Sequence, residues 1–206
     1  MTIEDILALS PVLPVVTLRR VEQAVPLARA LVAGGLRAVE ITLRTPEALA
    51  GAREIAREVH EIVLGVGTVL SPKDLRDAED AGAAFAVSPG VTPDLLEHAR
   101  DMRLPYLPAV ATASDLMAAM ERGFTTFKFF PASVAGGPAA IKALGGPFPG
   151  VRFCPTGGIG LATARDYRAL PNVLCVGGSW MAPDEALDAG DFARIEALAR
   201  EAAALA

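Results

Sequence analysis

Residues 62–90 read IVLGVGTVLSPKDLRDAEDAGAAFAVSPG, and this stretch holds the repeating unit of the chain. Ile62–Val69 is an apolar, β-branched run of strand length. Ser71-Pro72 then sets a capping residue ahead of a proline at the first helical position. Pro72–Ala81 reads as an amphipathic, alanine-containing helix. Gly82 follows where a helix C-cap wants φ > 0, and Ala84–Gly90 is the next apolar run.

The same alternation extends in both directions. The runs are Val12–Leu18, Ala38–Leu43, Ile62–Val69, Ala84–Gly90, Pro105–Ala111, Thr125–Ala132, Val151–Ile159 and Val173–Met181. Helix-like segments lie between them, among them Val21–Ala33, Pro46–Val59, Pro93–Arg100 and Ser114–Arg122. Thr45-Pro46 and Thr92-Pro93 repeat the start signal, and Gly34 and Gly123 repeat the stop signal. A short N-terminal helix, about residues 2–9, precedes the first run. The loosest part is Ala135–Gly150, which still holds Ile141–Leu144 as a possible short helix. Eight βα units in sequence predict a closed (β/α)₈ TIM barrel, a single α/β domain spanning 1–206, although about 250 residues is typical of that fold. An open doubly wound sheet is the alternative. It calls for a glycine-rich turn after the first strand, and Val16-Thr17-Leu18-Arg19-Arg20 has none.

Composition narrows the function. The chain has 206 residues, 52% hydrophobic and 21% charged, with a net charge of −5. This is a globular composition, and a chain of this length buries roughly 70% of its unfolded surface. No basic cluster exceeds Arg19-Arg20, so nucleic acid is not an expected partner. A small phosphate is still compatible, because backbone N–H groups can hold one. Cys154 and Cys175 are too few for a disulfide framework and read as buried reduced thiols. MTIEDILALS has two acids and no basic region, unlike a signal peptide. No apolar stretch reaches the roughly 18 residues of a membrane span. A cytoplasmic protein is therefore expected, with no membrane partner. The 16 arginines against three lysines, with one Asn and one Gln, fit a thermophile or a GC-rich genome equally well.

Few ionisable side chains occupy the strand-like runs, and those few carry the chemistry. In Thr125-Thr126-Phe127-Lys128-Phe129-Phe130-Pro131, Phe127 and Phe129 share one face and Lys128 takes the other. If the aromatic face packs on helices, Lys128 points into the barrel. A desolvated lysine with a lowered pKa is the amine that attacks a carbonyl to form a Schiff base. A lysine neutralised in a core ion pair is the structural alternative. In Ala38-Val39-Glu40-Ile41-Thr42-Leu43-Arg44, the apolar residues Val39, Ile41 and Leu43 alternate with Glu40, Thr42 and Arg44. Glu40 then also projects inward, where it could act as a general acid or base or simply pair with Lys128. Arg44 could fork onto a carboxylate.

Two glycine pairs close the seventh and eighth runs, Thr156-Gly157-Gly158 and Gly177-Gly178-Ser179. Barrels commonly hold phosphate there, although glycines can also merely turn the chain. Thr68 also ends a strand, and its hydroxyl could bind a carboxylate or keto oxygen, although threonine is common in strands. The two histidines, His60 and His98, fall in helix-like stretches outside any metal-ligand spacing, so no metal site is expected.

Six segments carry a resemblance to a known family: Val39–Thr45 (VEITLRT), Gly65–Leu70 (GVGTVL), Ser88–Gly90 (SPG), Phe127–Ala132 (FKFFPA), Arg152–Ile159 (RFCPTGGI) and Val176–Trp180 (VGGSW). In this order, from about Pro11 to Arg200, the chain resembles the bacterial 2-keto-3-deoxy-6-phosphogluconate (KDPG) aldolases, which often act also on 4-hydroxy-2-oxoglutarate (KHG). The resemblance implies a class I aldolase on a (β/α)₈ barrel, without cofactor, assembled as a homotrimer. It places the Schiff-base lysine at Lys128 and the proton-transferring glutamate at Glu40. It places carboxylate binding at Arg44, substrate contacts at Thr68 and Pro89, and the phosphate site at Thr156, Gly157, Gly158, Gly178 and Ser179. The string Pro108-Ala109-Val110-Ala111-Thr112 departs from the family's Gly-Ile/Val-Ser/Ala-Thr at Ala109, a difference that bears on specificity more than chemistry. Three rival readings stand beside this one: an aldolase for the 6-phosphogalactonate epimer, a non-covalent sugar-phosphate isomerase, and a non-catalytic phosphometabolite-binding barrel.

Overall fold

The computed structural model describes residues 1–205. Its strands are β1 (Val12–Val16), β2 (Ala38–Thr42), β3 (Val63–Gly67), β4 (Phe85–Val87), β5 (Tyr106–Leu107), β6 (Ala109–Val110), β7 (Thr126–Phe129), β8 (Arg152–Pro155) and β9 (Val176–Gly178). All pairings are parallel, as expected for strands joined by helical crossovers. One sheet runs β5-β4-β3-β2-β1-β9 and a second β6-β7-β8. Only Pro108 separates β5 from β6. Between β8 and β9, isolated bridges join Phe153 to Val173 and Thr156 to Gly177. The result is a curled parallel sheet wrapped by helices, a coarser form of the expected barrel.

All eight apolar runs contain strand, but the strands are shorter than the runs. The fifth run breaks at Pro108, which has no N–H to give to a ladder. Its carbonyl is used instead, accepting the Lys128 N–H at 2.9 Å. Two start signals behave as read: Ser71 and Thr92 side chains accept from the N–H groups of Asp74 and Leu95, with proline at the head of each helix. Thr45 does not cap. Its hydroxyl donates to the Leu18 carbonyl at 2.5 Å, and the helix begins later, at Ala48. The left-handed turn expected at Gly34 falls on Gly35 (φ 94°), while Gly82 and Gly123 take it as expected. The loose stretch 135–150 forms a nine-residue helix, Gly137–Gly145.

Alternation along the strands creates two apolar layers. Val39, Ile41, Val66, Phe127, Phe129 and Phe153 face outward into the layer shared with the helices. A smaller cluster fills the inner face: Leu13, Ala38, Phe85, Val87, Leu107, Cys154 and Cys175, with Ile6 and Leu7 of the helix Ile3–Leu7 packed against it. That helix therefore closes the end of the curl where the strands begin. Both cysteines are free and buried, with Sγ atoms 3.5 Å apart. The hydrogen bond to Cys154, and then burial, push the Cys175 thiol well above the ordinary thiol range. Among the described residues, no helix is long and apolar enough to cross a membrane.

Candidate active site

Lys128 and Glu40 meet inside the curl. Lys128 comes from β7 and Glu40 from β2, and the alternation that turns their neighbours outward onto the helices turns both inward. Lys128 Nζ lies 3.1 Å from Glu40 Oε1 and 3.3 Å from Oε2. Their side chains are 5% and 1% exposed, respectively. Nζ also lies 5.4 Å from the centroid of the Phe130 ring, an amine-over-aromatic contact.

Gly67, inside the GVGTVL segment but given no role from the sequence, makes room for this pair. It stands at the end of β3, and a Cβ there would lie 2.0 Å from Glu40 Oε1. The carboxylate thus fills the place a side chain would take. Its neighbour Thr68 adopts φ 59°, the left-handed region that a β-branched residue rarely enters. Strain of this kind costs on the order of 1–3 kcal/mol and clusters at binding sites. Here it accompanies a hydrogen bond in which Arg44 Nε donates to Thr68 Oγ1 at 3.2 Å. Loops after neighbouring strands β2 and β3 are thereby joined.

Above the pair opens a cleft of about 440 Å³, within the range of small-molecule sites. It brings together Arg44, Thr156, Gly157, Gly158, Gly178 and Ser179, and Phe130 also lines it. Lys128 and Glu40 are not on its lining but beneath it, connected to it by the Phe130 ring. Thr156 is buried, and Gly177 passes so close that a Cβ there would be 2.2 Å from the Thr156 hydroxyl oxygen. Gly157 and Gly158 both adopt positive φ, at 101° and 71°. Their conformation turns the loop after β8 across the mouth. Thr68 is not on the lining; it accepts a hydrogen bond from Arg44, which is. Pro89, half-buried after β4, is not among the residues lining it.

The cleft also has three polar members that motif reading passed over. Thr17 Oγ1 lies 2.8 Å from Thr42 Oγ1, whose hydroxyl also reaches the Val16 carbonyl at 3.3 Å. Arg19 and Asp184 face each other at the rim and form an ion pair. Among the described residues, no group of three or more His, Cys, Asp and Glu side chains is placed to hold a metal ion.

A buried amine paired with a carboxylate, next to a cleft with an arginine on one side and glycine turns on the other, has the groups that covalent carbonyl chemistry uses. The comparisons agree. Residues 3–198 match the family model "KDPG and KHG aldolase". The KHG/KDPG aldolase of Escherichia coli (strain K12) is 53% identical over 199 residues, covering 97% of this chain and 93% of that protein. The 2-dehydro-3-deoxy-phosphogluconate aldolase of Dickeya dadantii (strain 3937) is 52% identical, covering 98% and 94%. Among solved structures, the KDPG aldolase of Legionella pneumophila, with pyruvate captured at low pH as a covalent carbinolamine intermediate, superposes with TM-score 0.95 at 43% identity, covering 97% of each chain. The chain belongs to the KDPG and KHG aldolase family, a family of lyases.

Proposed function

We propose that this protein is a class I aldolase that cleaves KDPG to pyruvate and glyceraldehyde-3-phosphate, and KHG to pyruvate and glyoxylate, through an imine on Lys128. The observation that carries the proposal is the buried Lys128–Glu40 contact at 3.1 Å. Glu40 takes the proton of the paired Lys128 ammonium, the freed amine attacks the C2 keto group, and Glu40 gives that proton to the carbinolamine hydroxyl, which leaves as water and yields a protonated imine. That imine accepts the electron pair released when C3–C4 breaks. Glu40 takes the C4 hydroxyl proton, with a water as carrier, and returns a proton to C3 of the enamine. Hydrolysis then frees pyruvate and the lysine. Arg44 and Thr68 hold the substrate carboxylate, Pro89 lines the pyruvate side, and Thr156, Gly157, Gly158, Gly178 and Ser179 receive the phosphate. The carbinolamine of the Legionella pneumophila relative supports the covalent route.

The supporting architecture is proposed with it. The two sheets close into one (β/α)₈ barrel, β5 and β6 together forming one stave around Pro108, and the whole chain is one domain. The protein works in the cytoplasm as a homotrimer.

Borohydride trapping with pyruvate, followed by intact mass and peptide mapping, tests the chemistry. The expected result is a single adduct on Lys128, absent from Lys128→Ala, which also loses turnover. Glu40→Gln should still form the adduct while turning over slowly. No adduct on folded protein would replace the covalent mechanism with isomerase or binding chemistry. Comparing rates on the two C4 epimers separates the gluconate substrate from the galactonate one.

A further inference from the structure

We infer that Arg19 selects phosphorylated substrates: held at rest by Asp184 and Asp188, its guanidinium transfers to the substrate phosphate when that group enters the glycine loops. This rests on the phosphate site proposed above and adds a residue that carries charge to it.

The register of the strands sets the position. β1 pairs with β9, Pro14 opposite Gly178, so the loop after β1 lies beside the loop after β9. Arg19 belongs to the first loop, Ser179 to the second, and both line the cleft. The only other cation on that lining, Arg44, is tied to Thr68 on the loops after β2 and β3. The cleft is therefore cationic at two separate places, one for each anionic end of a phosphorylated keto acid. Such bipolar charge matters in a chain whose net charge of −5 repels a multiply charged anion.

Arg19 is also built to move. One terminal nitrogen contacts Asp184 and the other lies 3.3 Å from Asp188 Oδ2. The Arg19 side chain is 54% exposed, so these are surface pairs of small net worth, easily exchanged. A phosphate dianion offers the same fork geometry with more charge. The two acids hold the guanidinium at the rim and return it there when product leaves.

The reactions of the proposed function supply an internal comparison, because KDPG carries a phosphate and KHG does not. For Arg19→Ala, the ratio of kcat/KM on KDPG to kcat/KM on KHG is expected to fall about tenfold or more, the scale of one charge-assisted hydrogen bond. The fall should sit in KM for KDPG, and the inhibition constant of inorganic phosphate should rise in parallel. Arg19→Lys should recover part of the ratio, and Asp184→Asn should lower the inhibition constant of phosphate. An unchanged ratio overturns the inference, as does an equal loss on both substrates, which would make Arg19 a structural brace. A wild-type protein that traps pyruvate on Lys128 but cleaves neither acid would instead overturn the substrate assignment, and inorganic phosphate binding to wild type and Arg19→Ala by titration calorimetry would still judge Arg19, equal affinity overturning the inference.

Discussion

Removing one member of the Lys128–Glu40 pair leaves the other buried without its counter-charge. Breaking a buried pair from one side typically costs about 3–5 kcal/mol, whereas replacing both partners by apolar groups costs far less. Lys128→Met is therefore expected to lower the denaturation midpoint strongly, and Lys128→Met with Glu40→Leu to recover most of the loss. Guanidinium titration of the two variants checks this; equal destabilisation by both would mean the pair contributes nothing through its charge. Gly67→Ala tests the same site from the back. Its Cβ would occupy the place of Glu40 Oε1, so about 1–3 kcal/mol of stability and most of the turnover should be lost. Wild-type turnover in that variant would show that the carboxylate has room to shift. Lys128 and Glu40 could be found in the sequence because each is a lone ionisable side chain in a strand whose other face is apolar. Gly67 could not, since a glycine in a strand does not disclose which atom occupies the vacated space. Arg19 escaped for a related reason: Asp184, which holds it, is 165 residues away.

At the scale of elements, the helix Ile3–Leu7 is short, yet Ile6 and Leu7 are buried against the inner face. Glu4 fastens it by accepting the Thr126 hydroxyl at the start of β7. Burial raises the Glu4 carboxyl, but hydrogen bonds from Thr126, its own backbone and Thr2 outweigh it and hold the group below the usual carboxylate range. A depressed carboxyl adds stability that is present above its unfolded pKa and lost as pH falls through the folded one. Glu4→Gln should therefore be less stable than wild type at pH 7, with the gap closing below about pH 4. Thermal midpoints across that range decide it, and a gap that persists in acid would assign the loss to packing. Helix and strand order was legible from periodicity, because the signal repeats in every unit. The breaks were not. Pro108 divides a run that looks continuous, and Thr45 carries a cap signal but bonds to Leu18, a partner 27 residues away.

At the scale of the whole molecule, several large apolar side chains remain exposed, including Leu70, Met117, Met120 and Val134. Met117 and Met120 stand one turn apart on the same helix, Ala113–Met120. Surfaces of this kind suit subunit contact. The proposed homotrimer predicts a solution mass about three times the chain's 21.4 kDa by light scattering; a monomeric mass at micromolar concentration would remove it. Sequence patterning could supply parallel strands and their order, but not the oligomer, since an apolar helix face looks the same whether it packs on a sheet or on another subunit.

The pairing of β1 with β9 has a consequence for how the chain is made. Residues 12–14 find their neighbours only when residues 176–178 have been synthesised. Until then one side of β1 presents unpaired backbone groups, a template for joining other chains. A ribosome stalled shortly before Val176 would hold a nearly complete protein with a sticky margin, and its cleft would lack Gly178 and Ser179. The margin of β1 is therefore covered only as about the last seventh of the chain is made.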